Sequence, residues 1–267
     1  MFKSLKETII NRRESYYTVI VFAGCVLTAI LMIIRCFYGT ELTDEAFYVA
    51  EAKEILNGNI PYAYNNNSVA VGFSFILVVF EYIYRLFVPD LEGIFLATRL
   101  FFVFTKIIIS GIVYLVLKKG LNKADALLLI GVLIPMTGAI SLQNFSYNTI
   151  PIWLFFLSGI LLYDVLEQDA KHKNIEVLVA GLVAGVGCFA NPGWGLSLVI
   201  FLLLILIRTK NKKERIITLS LFLGAVFTVV IIVVVPIIIK TSISEFLYGI
   251  DKLFFHKIPF CLLLNVQ

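Results

Sequence analysis

Long apolar runs separated by short polar segments dominate the pattern of hydrophobic and polar positions along the chain. A helix needs about 20 residues to cross the hydrocarbon core of a bilayer, and most of the runs approach or reach that length. The pattern predicts an all-α polytopic membrane protein with about seven transmembrane helices. The predicted spans are residues 17–38, 94–117, 126–142, 149–166, 176–190, 195–207 and 216–239.

A further run, VAVGFSFILVVFEYIYRLFV at residues 69–88, changes the orientation of everything after it if it crosses. If it does not cross, all strongly basic segments face the cytoplasm, in agreement with the positive-inside rule. Those segments are the tail with Lys3, Lys6, Arg12 and Arg13, then KKGLNK, KHK and RTKNKKER. Because Glu81 and Arg85 are costly in lipid, we predict a helix at the outer interface. An ordinary span with a snorkelling arginine is the alternative.

This topology puts the N-terminus in the cytoplasm and residues 39–93 in one long first external loop. The loop opens with the polar stretch TDEAFYVAEAKEILNGNIPY, which predicts a helix at about 44–57 that ends at Gly58 and Pro61. Asp44 and Glu45 lie in its first turn, where the helix dipole favours anions. Such a pair typically does no more than stabilise the helix. Here it directly follows the first span and precedes the second interfacial helix, so the loop also fits a lid over a cavity in the membrane.

Composition supports the membrane assignment and excludes several function classes. With 60% hydrophobic and 15% charged residues and a mean hydropathy of +0.95, the chain cannot bury its apolar side chains in one soluble core. The four cysteines show no CxxC spacing, so neither a metal centre nor a disulfide framework is indicated. Phosphate-binding loops and nucleophile elbows are absent from the sequence. Anionic lipid explains the basic segments better than nucleic acid does. We expect a multi-pass protein of the plasma (cytoplasmic) membrane.

The acidic pair and the residues after it resemble the first external loop of the GT-C membrane glycosyltransferases. The similarity is to the protein mannosyltransferase and aminoarabinose transferase branch, whose members use polyprenyl-phosphate sugars. The residues that carry it are Asp44, Glu45, Tyr48, Ala52, Ile55, Leu56, Gly58, Pro61 and Tyr62. Arg99, near the outer end of the second span, is placed as an arginine is in many of those enzymes. In topology the resemblance covers most of the chain, and in motif it covers the first loop alone.

The chain also departs from that family. The short external segment QNFSYN has Asn144 and Asn148 where such enzymes often carry a second acidic residue. The turn after the fifth span has Asn191 and Pro192 where a lysine commonly precedes a proline. Members usually continue with more spans, so we expect the chain to be the N-terminal part of a longer protein. These differences leave the branch, the donor sugar and the use of a metal open.

The resemblance implies transfer of a sugar from a polyprenyl-phosphate donor to a hydroxyl of a glycan, lipid or protein acceptor. Asp44 is then the candidate general base, with Glu45 in a secondary role. A divalent cation bound by Asp44 is the alternative use of that carboxylate. Arg99 is the first candidate to bind the lipid phosphate, against a snorkelling role at the span end. Lys106, in mid-span, is a second.

Tyr48, Asn148 and Asn191 complete the candidate substrate-binding set. The segments around the two asparagines contain Tyr147 and Trp194, which also fit simple interfacial anchors. Two other function classes remain open on the sequence. A transporter or lipid flippase has the same hydropathy pattern, and a non-enzymatic membrane subunit is the third possibility.

Overall fold

The computed structural model describes residues 2–38, 44–60, 71–134, 145–168 and 172–248. Of these residues, 84% are helical and none lies in a strand, which confirms the predicted all-helical class. Within the described residues, five helices are long and apolar enough to cross a membrane. They are Glu14–Cys36, Ile94–Leu117, Ile150–Glu167, Lys173–Ala190 and Lys212–Lys240. Membrane insertion is thus supported on length and composition.

The principal helices follow one another along the chain with short connections. They are α1 (Phe2–Cys36), α2 (Asp44–Leu56), α3 (Val71–Arg85), α4 (Ile94–Leu117), α5 (Lys123–Leu133), α6 (Ile150–Glu167), α7 (Lys173–Ala190), α8 (Gly195–Arg208) and α9 (Lys212–Lys240). A 3₁₀ turn, Pro192–Trp194, joins α7 to α8. Helices α2 and α3 lie within the loop that the sequence predicts to be external.

Two of the predicted spans are not among the five long helices. The third, 126–142, coincides in part with α5, and its second half lies outside the described residues. The sixth, 195–207, coincides with α8, which has 14 residues and rises about 21 Å. The interfacial segment 69–88 contains α3, a helix of 15 residues that also falls short of a full crossing.

Helices α6, α7 and α9 form the centre of the bundle, with α1 packed on α5 and α2 on α3. The contact between α7 and α9 is close because α7 presents glycines. A Cβ atom at Gly181 would lie 2.5 Å from the Phe222 carbonyl oxygen, and one at Gly185 would lie 3.1 Å from Val229 Cγ2. The absence of side chains at these two positions lets the helix backbones approach one another.

Contacts between helix termini define two ends of the bundle. At the first, which we term the α2 end, Arg99 at the start of α4 contacts the last residue of α1, and Asn191 after α7 contacts Tyr147 before α6. At the opposite end, Lys119 after α4 pairs with Asp164 of α6. Ion pairs Arg208–Glu167 and Lys173–Glu214 also lie there. The candidate residues of the first loop therefore lie at the same end as the Asn148 and Asn191 segments.

Candidate functional site

Helix α2 begins at the acidic pair. Its first residue is Asp44, whose side chain lies outside the described residues. The neighbouring Glu45 is described, and it is 5% exposed. A glutamate is rarely this buried unless it has a partner. The position of the start of α2 is therefore determined by what Glu45 contacts.

The partner of Glu45 is Arg99 of α4. The Arg99 Nε–H donates to Glu45 Oε1 at 2.8 Å, and Nη2 donates to Oε2 at 2.5 Å. This paired geometry is the strongest arrangement that an arginine and a carboxylate form. Arg99 Nη1 also donates to the Cys36 carbonyl oxygen at 3.2 Å. One buried guanidinium thus joins the end of α1, the start of α2 and the start of α4.

These contacts bear on the predicted role of Arg99. The sequence suggests that its charge binds a lipid phosphate, but in the structure the carboxylate of Glu45 already neutralises it. Three guanidinium nitrogens have protein acceptors. The arrangement favours a positioning role for Arg99, in which it holds the acidic start of α2 against the bundle. A buried side chain with these partners does not snorkel to the membrane surface.

Tyr48 lies one turn after Asp44 and is 2% exposed. Its ring contacts the Phe73 ring edge-on at a centroid distance of 5.0 Å, and the Tyr147 ring at 5.8 Å. Such edge-to-face contacts are worth about 0.5–1.5 kcal/mol beyond the burial of apolar area. Tyr48 therefore connects α2 to α3 and to the segment that precedes α6.

The two candidate asparagines have different environments. Asn148 is exposed, and its backbone N–H donates to Ser146 Oγ at 3.3 Å. Asn191 is half-buried, and its side-chain amide donates to the Tyr147 carbonyl oxygen at 3.3 Å. Asn191 Oδ1 accepts from the Gly193 N–H at 3.0 Å. Asn191 thus stabilises the turn between α7 and α8, and it ties that turn to the Tyr147 segment.

Lys106 lies two turns along α4 from Arg99, and its side chain is fully buried. Its Nζ is 5.3 Å from the centroid of the Phe102 ring and 5.3 Å from that of Trp153. An ammonium group at this distance from two aromatic rings is stabilised by cation–π attraction. The structure therefore places the amine of Lys106 between two aromatic rings in the interior of the bundle, deeper than the Glu45–Arg99 pair.

Sequence reasoning missed two features near α2. Glu51 is buried and accepts a hydrogen bond from Ser74 Oγ of α3, so a second carboxylate of α2 points into the protein. Glu81 of α3, expected at an interface, is completely buried. No local pattern could have identified either residue, because the burial depends on how α3 packs on α2.

An apolar groove runs along the other side of α3, between that helix and the neighbouring parts of α7 and α9. Its volume is about 640 Å³. The lining includes Phe75 and Val79 of α3, Phe189 of α7 and Ile232 of α9. A second cavity of about 270 Å³ shares three of these side chains and continues to Lys240. The shape and lining suit a hydrocarbon chain.

The described residues contain no group of three or more His, Cys, Asp or Glu side chains that could hold a metal ion. Comparison of the chain with known protein families, with characterised proteins and with solved structures finds no match. The functional argument therefore starts from the site itself.

Proposed function

We propose that the chain is a membrane glycosyltransferase of the GT-C type. It moves a sugar from a polyprenyl-phosphate donor to an acceptor hydroxyl at the outer face of the plasma membrane. The observation that carries the proposal is the buried Glu45–Arg99 pair, which fixes the acidic start of α2 on the end of α4. A helix that needed acidic residues only for its dipole would leave them in solvent. We infer that the buried pair also positions the neighbouring Asp44.

The two ends of the bundle support the arrangement of about seven spans. Lys119 lies at the opposite end and Phe145 at the α2 end, where its ring packs against Phe73. We infer that the predicted third span, which includes α5, connects these two ends. Trp194 and Arg208 lie at different ends as well, so α8 also connects the two. With the five long helices, these two connections would make up the predicted seven crossings, with α2 and α3 at one face.

The proposed chemistry is displacement at the anomeric carbon of the donor sugar. Asp44 accepts the proton of the acceptor hydroxyl as its oxygen attacks that carbon. The bond from the anomeric carbon to the phosphate oxygen breaks, and its electron pair leaves with the lipid phosphate. This role requires an ionised carboxylate, and the N-terminus of a helix favours a negative charge.

The remaining residues have positioning and binding roles in this proposal. Glu45 and Arg99 orient the start of α2, and Tyr48 and Asn191 form the adjoining wall with the Tyr147 segment. Lys106 supplies the positive charge that the departing phosphate needs. The apolar groove beside α3 is where we place the polyprenyl chain.

A transfer assay tests the proposal. The full chain is reconstituted in liposomes with radiolabelled polyprenyl-phosphate sugars and a membrane extract as the source of acceptors. Asp44→Asn should lower the transfer rate about 100-fold or more, as expected for loss of a general base. Glu54→Gln, on an exposed position of the same helix, is the matched control and should keep the rate.

Full activity of Asp44→Asn would contradict the mechanism. Wild-type protein that moves lipid across the bilayer without sugar transfer would favour a flippase.

A further inference from the structure

Glu81 of α3 differs from the other buried glutamates near α2. Glu45 is hydrogen-bonded to Arg99, and Glu51 accepts a hydrogen bond from Ser74. Glu81 is 0% exposed, and neither of its carboxylate oxygens has a hydrogen-bond partner among the described residues. Burial of a carboxylate without a partner is strongly unfavourable, so the group is expected to be uncharged in this conformation.

Helical spacing places Glu81 on the side of α3 that packs on α2. Phe73, Ser74, Leu77 and Glu81 recur at helical spacing, and all four are buried. Phe73 contacts Tyr48, and Ser74 donates to Glu51, both on α2. Glu81 therefore continues the side of α3 that packs on α2.

Two cations lie near Glu81, and neither pairs with it directly. Arg85 is one turn further along α3, and Lys53 is on α2. No ion pair within 4.0 Å joins either of them to Glu81 in the part of the chain that the structure describes. Burial raises the pKa of Glu81 from 4.5 to about 7, although Arg85 and Lys53 both act to lower it.

The other helices packed against α3 add no titratable group to this contact in the described region. From α7, the groove residues beside α3 are Val186 and Phe189. Arg99 of α4 and Glu45 of α2 form an ion pair with each other. Glu51 of α2 accepts a hydrogen bond from Ser74.

We propose that Glu81 is a protonation-dependent latch that holds α2 on α3. With its proton, the carboxyl group stays buried and α2 remains packed. After losing the proton, the carboxylate turns toward Arg85, Lys53 and water, and the contact between the two helices loosens. Because α2 carries the acidic pair, the latch controls how firmly that pair is held. This inference goes beyond the proposed function and does not depend on glycosyl transfer.

The sign of the pH effect follows from the buried, neutral state of the group. A carboxyl whose pKa is higher in the packed state stabilises packing fully below its ordinary pKa. That stabilisation is lost as the pH rises through the raised value, which is about 7 for Glu81. Between 4.5 and about 7, each pH unit should weaken the packing by about tenfold, and above about 7 the loss levels off.

Hydrogen exchange measured by mass spectrometry on the full chain in lipid nanodiscs tests the latch. Exchange of the 44–56 segment is compared at about pH 6 and about pH 8, after correction for the intrinsic exchange rate. Wild-type α2 should lose protection about tenfold at the higher pH, while the 212–240 segment of α9 should not change. Equal protection of α2 at the two pH values would overturn the proposal.

Variants separate Glu81 from other titrating groups. Glu81→Gln keeps the shape and cannot ionise, so α2 should stay protected at both pH values. Glu81→Leu gives the same expectation if the glutamine variant does not fold. Glu92→Gln, on an exposed position in the turn before α4, is the matched control and should keep the wild-type pH response. A wild-type pH response in Glu81→Gln or Glu81→Leu would overturn the role of Glu81. The infrared band of the protonated carboxyl should also disappear over the same pH range as the protection.

Discussion

Glu45 and Arg99, 54 positions apart in the chain, form a two-point hydrogen-bonded ion pair with side chains only 6% and 7% exposed. The pair joins a helix of the first loop to a transmembrane helix. Removal of one partner from such a pair leaves a buried charge without compensation. The pair is therefore the contact on which the attachment of α2 depends most.

A double-mutant cycle on this pair has a clear expected outcome. Glu45→Gln and Arg99→Met should each destabilise the docking of α2 by about 3–5 kcal/mol. The double variant should cost less than the sum of the two, because it leaves no unpaired charge. Hydrogen exchange in α2 gives these free energies. The exposed pair Arg208–Glu167 is the control, and Arg208→Gln should cost at most about 1 kcal/mol. Additive effects at Glu45 and Arg99 would show that the two side chains act independently.

Replacement of Lys106 tests whether its charge serves the lipid phosphate. Lys106→Met keeps an unbranched apolar stem against Phe102 and Trp153 but removes the ammonium group. Loss of a charge-assisted hydrogen bond costs about 1.5–3 kcal/mol, so the donor concentration for half-maximal transfer should rise at least about tenfold. Lys106→Arg keeps a positive charge, so the donor concentration for half-maximal transfer should rise less than in Lys106→Met. Unchanged donor dependence in Lys106→Met would assign the lysine to packing alone.

The predicted topology can be tested by labelling in intact cells. In a variant without the native cysteines, a cysteine at Asn66 should react with an impermeant thiol reagent from outside. A cysteine at Lys212, at the end of the bundle opposite α2, should react only after the cells are opened. Labelling of the Lys212 position from outside would reverse the orientation and place the acidic pair in the cytoplasm.

The close contact of α7 with α9 predicts a difference between two glycines. Gly181→Ala adds a methyl group against the Phe222 carbonyl oxygen and should destabilise the bundle by about 1–3 kcal/mol. Gly224→Ala meets nothing within 4 Å and should be neutral or stabilising by up to about 1 kcal/mol. Thermal unfolding in detergent measures both. Equal melting temperatures for the two variants would mean that the helices move apart without cost.

The sequence predicts helices well where the signals are local. Asp44 and Glu45 at the start and Gly58 after the end indicate α2, and the structure has α2 at Asp44–Leu56 with Gly58 at a φ of +103°. Only glycine adopts that backbone angle at no steric cost. Five of the seven predicted spans likewise correspond to the five described helices that are long and apolar enough to cross a membrane.

The contacts between helices could not be predicted in the same way. Nothing in the local sequence indicates that Glu45, rather than a phosphate, neutralises Arg99. The burial of Glu81 is also unexpected, because its charge predicts a place at the membrane interface, whereas tertiary packing buries it completely. Such pairings depend on tertiary structure, which single-sequence patterns do not encode.

In the proposed arrangement of seven spans, the unequal lengths of α8 and α9 affect the lipid around the protein. Helix α8 has 14 residues and rises about 21 Å, whereas α9 has 29 residues and rises about 43 Å. A bilayer has a hydrocarbon thickness of about 30 Å, so one helix is too short for it and the next is too long. Trp194 and Arg208 at the two ends of α8 suit a locally thinned membrane. Around α9 the mismatch has the opposite sign and is relieved by tilt. The two neighbouring helices therefore impose a gradient of membrane thickness around the protein.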